Sequence, residues 1–216
     1  MIEILNVIEK EIILLGKTHM VIGIAASLAV THPRNISEII LAVGGGALGA
    51  LISDIDVETS ASRQYADKIT MFSLLAVLTV IVLDKFFNIE VINKIMRGSN
   101  YERIIIGIFL FMGVCAFGRE KPHRTFMHSF LAMLLLSIAI NFIWKKVVIY
   151  FVVGFLSHLI IDIFNKRKVQ IFYPFKERIA LGWFCADGLA NNVFFIAGSV
   201  VIAAEIVLFI IRFINI

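Results

Sequence analysis

The 216-residue chain is poor in cysteine and in charge. Its two cysteines, Cys115 and Cys185, match no metal-binding or redox spacing, so neither a disulfide scaffold nor a thiolate metal knuckle is available. Only 17% of residues are charged and the net charge is +4, without any basic tract of the kind that tracks nucleic acid. Nucleic acid is therefore not expected as a partner. Low-complexity linkers and a segment that reads as a separate soluble domain are also missing. The opening "MIEILNVIEKEIILLGK" holds three glutamates and no small-residue cleavage site, so it does not read as a removable signal peptide.

What the chain has is apolar surface. Apolar residues make up 60% of it and the mean hydropathy is +0.94. A soluble domain of this length does not need that much, so the excess must face lipid. The expectation is an all-α, polytopic transmembrane helical bundle, a single membrane-embedded domain over 1–216. Seven apolar segments can be drawn, at approximately 19–31, 36–52, 69–87, 101–118, 125–144, 147–164 and 191–214, against a spanning need of about 20 residues. Leu5, Ile8, Ile12 and Leu15 fall on one face of the opening stretch, which predicts an N-terminal interfacial helix lying along the membrane. The run "GGGALGA" at 44–50 would let neighbouring helix backbones approach closely.

Threading seven single crossings puts His19, Asp54, Asp56, His123, His128, His158 and Asp162 on the same side, and only His32 on the other. Independent scatter would rarely produce that. The 20 lysines and arginines divide twelve to eight in favour of the side bearing these residues, which makes that side cytoplasmic. Asp187 is a further carboxylate there without an assigned role. Glu205 is set apart as an acid inside the bundle, with no evident partner.

The residue types point to a metal. Asp54 and Asp56 stand two apart just beyond an apolar helix, where the backbone is no longer held to one face, so both can turn to a cation. His158 and Asp162 are four apart and share a helical face. His123 and His128 are five apart and converge only if His123 precedes the regular turns. An HxxxD pair alone is often a simple intrahelical hydrogen bond, and a DxD alone a solvated helix end. Ionisable residues grouped inside a membrane bundle are a functional hypothesis by default. Imidazoles with carboxylates favour a divalent ion such as zinc or manganese over magnesium alone, and such an ion lowers the pKa of bound water. Arg124, beside this set, suits an anionic group such as phosphate. His19 to Asp54 and His123 to His158 are both 35 residues, a spacing echo too slight to establish a duplication.

"TH" at 18–19, "SDID" at 53–56, "HRTFMHS" at 123–129, and "GFLSHLIID" followed by "VQIFYPF" together resemble the YdjM-like family of bacterial inner-membrane proteins, described as metal-dependent hydrolases. The match in order and spacing runs over residues 18–175. The family usually has proline at the position of Ser53, histidine at Val57 and threonine at Met127. The resemblance implies a metal site made of His19, Asp54, Asp56, His123, His128, His158 and Asp162, with Asp56 and Arg124 as the catalytic candidates. It also implies a multi-pass protein of the bacterial inner membrane. The expected activity is metal-dependent hydrolysis of a lipid or lipid-linked phosphoester at the cytoplasmic face. The rival expectations are a metal-ion or small-solute transporter, which needs polar residues continuing to the far side, and a non-catalytic membrane protein stapled by a metal. The oligomeric state is not written in the sequence.

Overall fold

A computed structural model describes residues 2–57, 101–183 and 189–214. Helix α1 is Ile2–Thr31 and α2 is Ile36–Ile52, which tightens into a 3-10 turn at Ser53–Asp56. Then come α3 (Tyr101–Arg119), a 3-10 turn at Phe126–His128, α4 (Phe130–Trp144), a 3-10 turn at Lys145–Val147, α5 (Val148–Phe164) and α6 (Leu189–Ile214). Among the described residues there is no strand, only one isolated antiparallel bridge between Val169 and Ile179.

Local chemistry sets the boundaries that matter. Asn35 caps α2: its side chain accepts from the Glu38 N–H at 2.9 Å and donates to the Glu38 carboxylate at 2.8 Å. The first of these bonds satisfies a backbone donor that a helix start leaves open, and the second locks the capping side chain in place. Ser129 does the same for α4, accepting from the Ala132 N–H while its hydroxyl donates to the Phe126 carbonyl. That cap stops the helix just after His128, so both histidines of "HRTFMHS" lie before the regular turns.

Helix α2 is the centre of the packing, with α1 on one side and α5 on the other. Glycines make the contact. A Cβ on Gly154 would lie 2.2 Å from the Gly46 carbonyl oxygen, and one on Gly49 would lie 2.1 Å from the Phe151 carbonyl oxygen. Gly23 meets Gly46 in the same way, at 2.7 Å. The close approach expected of the 44–50 run is real, and Gly23 and Gly154 supply its other half. His19 lies one turn before Gly23, and His158 and Asp162 lie one and two turns after Gly154, on the same faces. The seam that lets these helices close therefore aims the ligand-type side chains inward. Beneath them, Ile55, Phe126, Met127, Phe151, Phe155 and Leu159 form an apolar core.

The expected seven spans are not supported. Among the described residues four helical stretches are long and apolar enough to cross a membrane: Ile36–Asp56, Tyr101–Arg119, Phe130–Phe164 and Leu189–Arg212. The segments drawn at 125–144 and 147–164 fall within one of them. Phe130–Phe164 is nonetheless folded back at Lys145–Val147, because the rings of His128 and His158 are 5.1 Å apart. Thirty residues of unbroken helix would hold them roughly 45 Å apart. Its arms, of 15 and 17 residues, reach only about 22 and 26 Å, short of the roughly 30 Å hydrocarbon core. Segment 19–31 is not one of the four, and segment 69–87 lies outside the described residues. The separate interfacial helix is also corrected: Ile2–Thr31 is one continuous helix, with no break at Lys17 or Thr18.

Candidate metal centre

Four pieces of chain converge on one buried cluster. Helix α1 brings His19, the turn after α2 brings Asp54 and Asp56, the turn before α4 brings His123 and His128, and α5 brings His158 and Asp162. His19, Asp56, His128, His158 and Asp162 are all buried. His19 stacks on His158 with ring centroids 4.1 Å apart, and His128 stands edge-on to both His123 and His158. All seven residues of the expected site are thus brought together. His32 and Glu205 are elsewhere, paired at 3.7 Å (Nδ1 to Oε2), which gives Glu205 a partner the sequence did not reveal. Asp187 lies outside the described residues.

The orientation of each ring follows from its partners. His158 Nδ1 is 2.7 Å from the Ala50 carbonyl oxygen. A carbonyl only accepts, so Nδ1 carries the proton and Nε2 keeps its lone pair for the cluster. That Nε2 is 3.7 Å from Asp54 Oδ1 and 3.6 Å from Asp162 Oδ2. His128 Nε2 is 3.6 Å from the same Asp54 oxygen and 3.3 Å from the same Asp162 oxygen. On its other edge, His128 Nδ1 is 3.5 Å from Asp56 Oδ2. Asp56 Oδ1 accepts from His123 Nδ1 at 2.9 Å.

These separations are a test of fit. Gaps of 3.3–3.7 Å are too long for good hydrogen bonds. Two ligands on one tetrahedral ion at about 2.0–2.1 Å would stand about 3.3–3.4 Å apart. Four atoms, two imidazole nitrogens and two carboxylate oxygens, form a ring with such edges. His19 Nδ1, His128 Nδ1 and Nε2, His158 Nε2 and Asp56 Oδ2 are buried without a hydrogen-bond partner. Buried polar atoms are normally satisfied, and a shared cation is the simplest single partner for this set. Two triads, His19/His158/Asp162 and Asp54/His123/His128, each place their donor atoms within 4.8 Å. The cluster thus has ligands enough for two ions. Burial disfavours charge on His128, but the Asp54, Asp56 and Asp162 carboxylates outweigh it and push its pKa up to about 10. A cage negative enough to hold a proton there would also hold a cation.

Arg124 is tied to the cluster and to the chain beyond it. Its Nη2 donates to Asp162 Oδ1 at 2.9 Å and its Nη1 to the Arg167 carbonyl at 2.6 Å. The backbone reaches this pose through a left-handed φ of 63°, unusual for a residue with a Cβ. The Arg124 carbonyl in turn accepts from Gln170 N–H, tying the 165–183 excursion to the cluster. The Ala50 and Arg167 carbonyls orient site residues, and no side-chain pattern announces a backbone acceptor. The only sequence signal for them is position, one just before "SDID" and one in the chain that follows Asp162.

A family model described as "YdjM inner membrane protein" matches residues 14–215. The chain is similar to a Bacillus subtilis (strain 168) protein, "Uncharacterized protein YvsG", at 24% identity over 186 residues, covering 85% of this chain and 88% of that one. No solved structure matches.

Proposed function

The chain belongs to the YdjM family of inner membrane proteins, and we propose that it is a metal-dependent hydrolase of a lipid or lipid-linked phosphoester, working at the cytoplasmic face. The observation that carries the reading is the buried cluster of imidazole nitrogens without hydrogen-bond partners, set against the Asp54, Asp56 and Asp162 carboxylates. His128, His158, Asp54 and Asp162 would hold the first ion, and His19 is placed to join them. A divalent ion there, zinc or manganese by donor type, would supply Lewis-acid polarisation and an activated water.

The chain's own residues supply the rest. Asp56 holds His123 through Oδ1, so it fixes the pose of that ring, and its Oδ2 faces His128 Nδ1 at 3.5 Å. With Nδ1 committed to Asp56, His123 presents Nε2 outward, and its side chain is 37% exposed. That makes His123 the group placed to take or return a proton where substrate arrives. Asp54, 16% exposed, is the other ligand-type residue open to approach. This accessible edge favours catalysis over a purely structural metal, which is normally sealed by four protein ligands. The apolar helices around the cluster favour a substrate that is itself in the membrane.

The reading is tested on purified full-length protein. Metal analysis without added metal should find bound zinc or manganese. A panel of phospholipid and lipid-linked phosphate substrates should yield one whose hydrolysis stops with a chelator and returns with that metal. Metal present with no turnover on any substrate would leave the structural-metal alternative standing and defeat the hydrolase assignment.

The cytoplasmic placement rests on the basic residues around the cluster end, among them Lys17, Arg119, Lys121, Lys166, Arg167 and Lys168, and has its own test. Cysteines are placed singly at Lys168, on the excursion tied to Arg124, and at Glu102, at the opposite end of the bundle, in a background lacking Cys115 and Cys185. A membrane-impermeant thiol reagent on intact cells should label the Glu102 position and spare Lys168. The reverse result would put the centre outside.

A further inference from the structure

At the end of the bundle away from the cluster, a groove of about 780 Å³ opens where the α4–α5 reversal meets the start of α3. Helix α4 separates the two places by its 15 residues, about 22 Å. The wall is apolar, with Phe142 and Val152 facing it, and the mouth carries Arg103, Lys145, Lys146 and Trp144. Lys145 and Lys146 are exposed, and Trp144 is 54% exposed. Among the described residues no carboxylate lines the groove. Arg103 donates from Nε to the Phe142 carbonyl at 3.1 Å and from Nη2 to the Asn141 carbonyl at 2.7 Å. It thereby covers the negative end of α4 and turns a mouth that would repel anions into a cationic one.

We infer that this groove is a binding site for an anionic glycerophospholipid, separate from the metal cluster. An apolar slot rimmed by three cations and an interfacial tryptophan matches a headgroup phosphate with acyl chains running into the protein. A soluble anion would have no use for the slot, and a neutral zwitterionic lipid would have no use for a cationic mouth that no carboxylate among the described residues lines. The short hairpin arms fit the same picture, since a lipid seated at the reversal fills bilayer depth that the arms do not reach. The site does not depend on the hydrolase reading.

The chain has two tryptophans, Trp144 and Trp183. In a Trp183→Phe background Trp144 alone reports on the groove. The full-length protein is reconstituted into phosphatidylcholine bilayers containing brominated-chain phosphatidylglycerol or, in parallel, brominated-chain phosphatidylcholine. Quenching should favour phosphatidylglycerol. Lys145→Ala with Lys146→Ala should reduce that preference on the order of tenfold, with bound metal unchanged. Inorganic phosphate should not compete. Arg103 is left intact because its loss would uncap α4. Equal quenching by both lipids, or a preference that survives the double substitution, would overturn the site. So would a Trp144 quenched by neither, which would mean that protein fills the groove.

Discussion

His158→Ala protein should purify with its metal largely gone and should unfold at a lower temperature than wild type. The ring is fully buried. It is aimed by the Ala50 carbonyl, and its Nε2 faces the two carboxylate oxygens that His128 also faces. His19, stacked on the same ring, would remain, but it reaches the cluster from the other face of His158 and cannot restore the lost ligand atom. Even loss of an orienting group usually costs 10–100-fold in metal affinity, at about the level of the ligand's own partners, and removal of a ligand should cost about a hundredfold or more. Metal bound at 1,000 times its Kd adds about 4 kcal/mol to the folded state, so that stabilisation falls with occupancy. The substitution also leaves a cavity, which destabilises with or without metal. The two effects separate in a comparison of metal-loaded and metal-stripped samples. The wild-type melting temperature should drop on stripping, and that of His158→Ala should hardly change. His32→Ala, whose ring pairs with Glu205 away from the cluster, should behave as wild type in both states. A His158→Ala protein with full metal content would remove the central ligand of the site.

Much of this cluster was legible because helical spacing is rigid. Gly154, His158 and Asp162 recur every fourth residue, so the packing face and the ligand face had to coincide. His123 and His128 were conditional on a late helix start, and the Ser129 cap supplies it. "SDID" was readable as a helix end, and the 3-10 turn there is what sends Asp54 towards His158 and Asp56 towards His123. Crossing number was not legible, because hydropathy counts apolar residues and cannot distinguish a span from an arm of a hairpin. The continuity of α1 through Lys17 and Thr18 was hidden for a similar reason: charge pattern suggested an interface, while nothing in it breaks a helix. Tertiary contacts between distant polar residues were also invisible. Glu205 found His32, and Arg124 found Asp162, by packing that no local pattern encodes.

Arg124→Lys decides what that last contact is for. The sequence suggested a phosphate clamp, in which case the substitution would keep the charge, lose the fork, and lower turnover at unchanged metal content. The structure has the fork on Asp162 and the Arg167 carbonyl, and if Asp162 holds the proposed ion, Arg124 acts as its positioning residue. A lysine ammonium is a single point and cannot hold both partners in the planar arrangement of a guanidinium. Metal affinity should therefore fall by about 10–100-fold in Arg124→Lys, and turnover should recover when metal is raised to saturation. Arg124→Ala should be worse, since it leaves the buried Asp162 without its cation, a loss of about 3–5 kcal/mol when a buried pair is broken. Arg124→Gly isolates the backbone contribution, because glycine adopts the φ of 63° without strain. If side-chain positioning is what matters, glycine should lose metal much as alanine does despite the easier backbone. If Arg124→Lys instead binds metal as wild type does and is slow at saturating metal, the fork must swing from Asp162 to the substrate, and the phosphate clamp is the correct assignment.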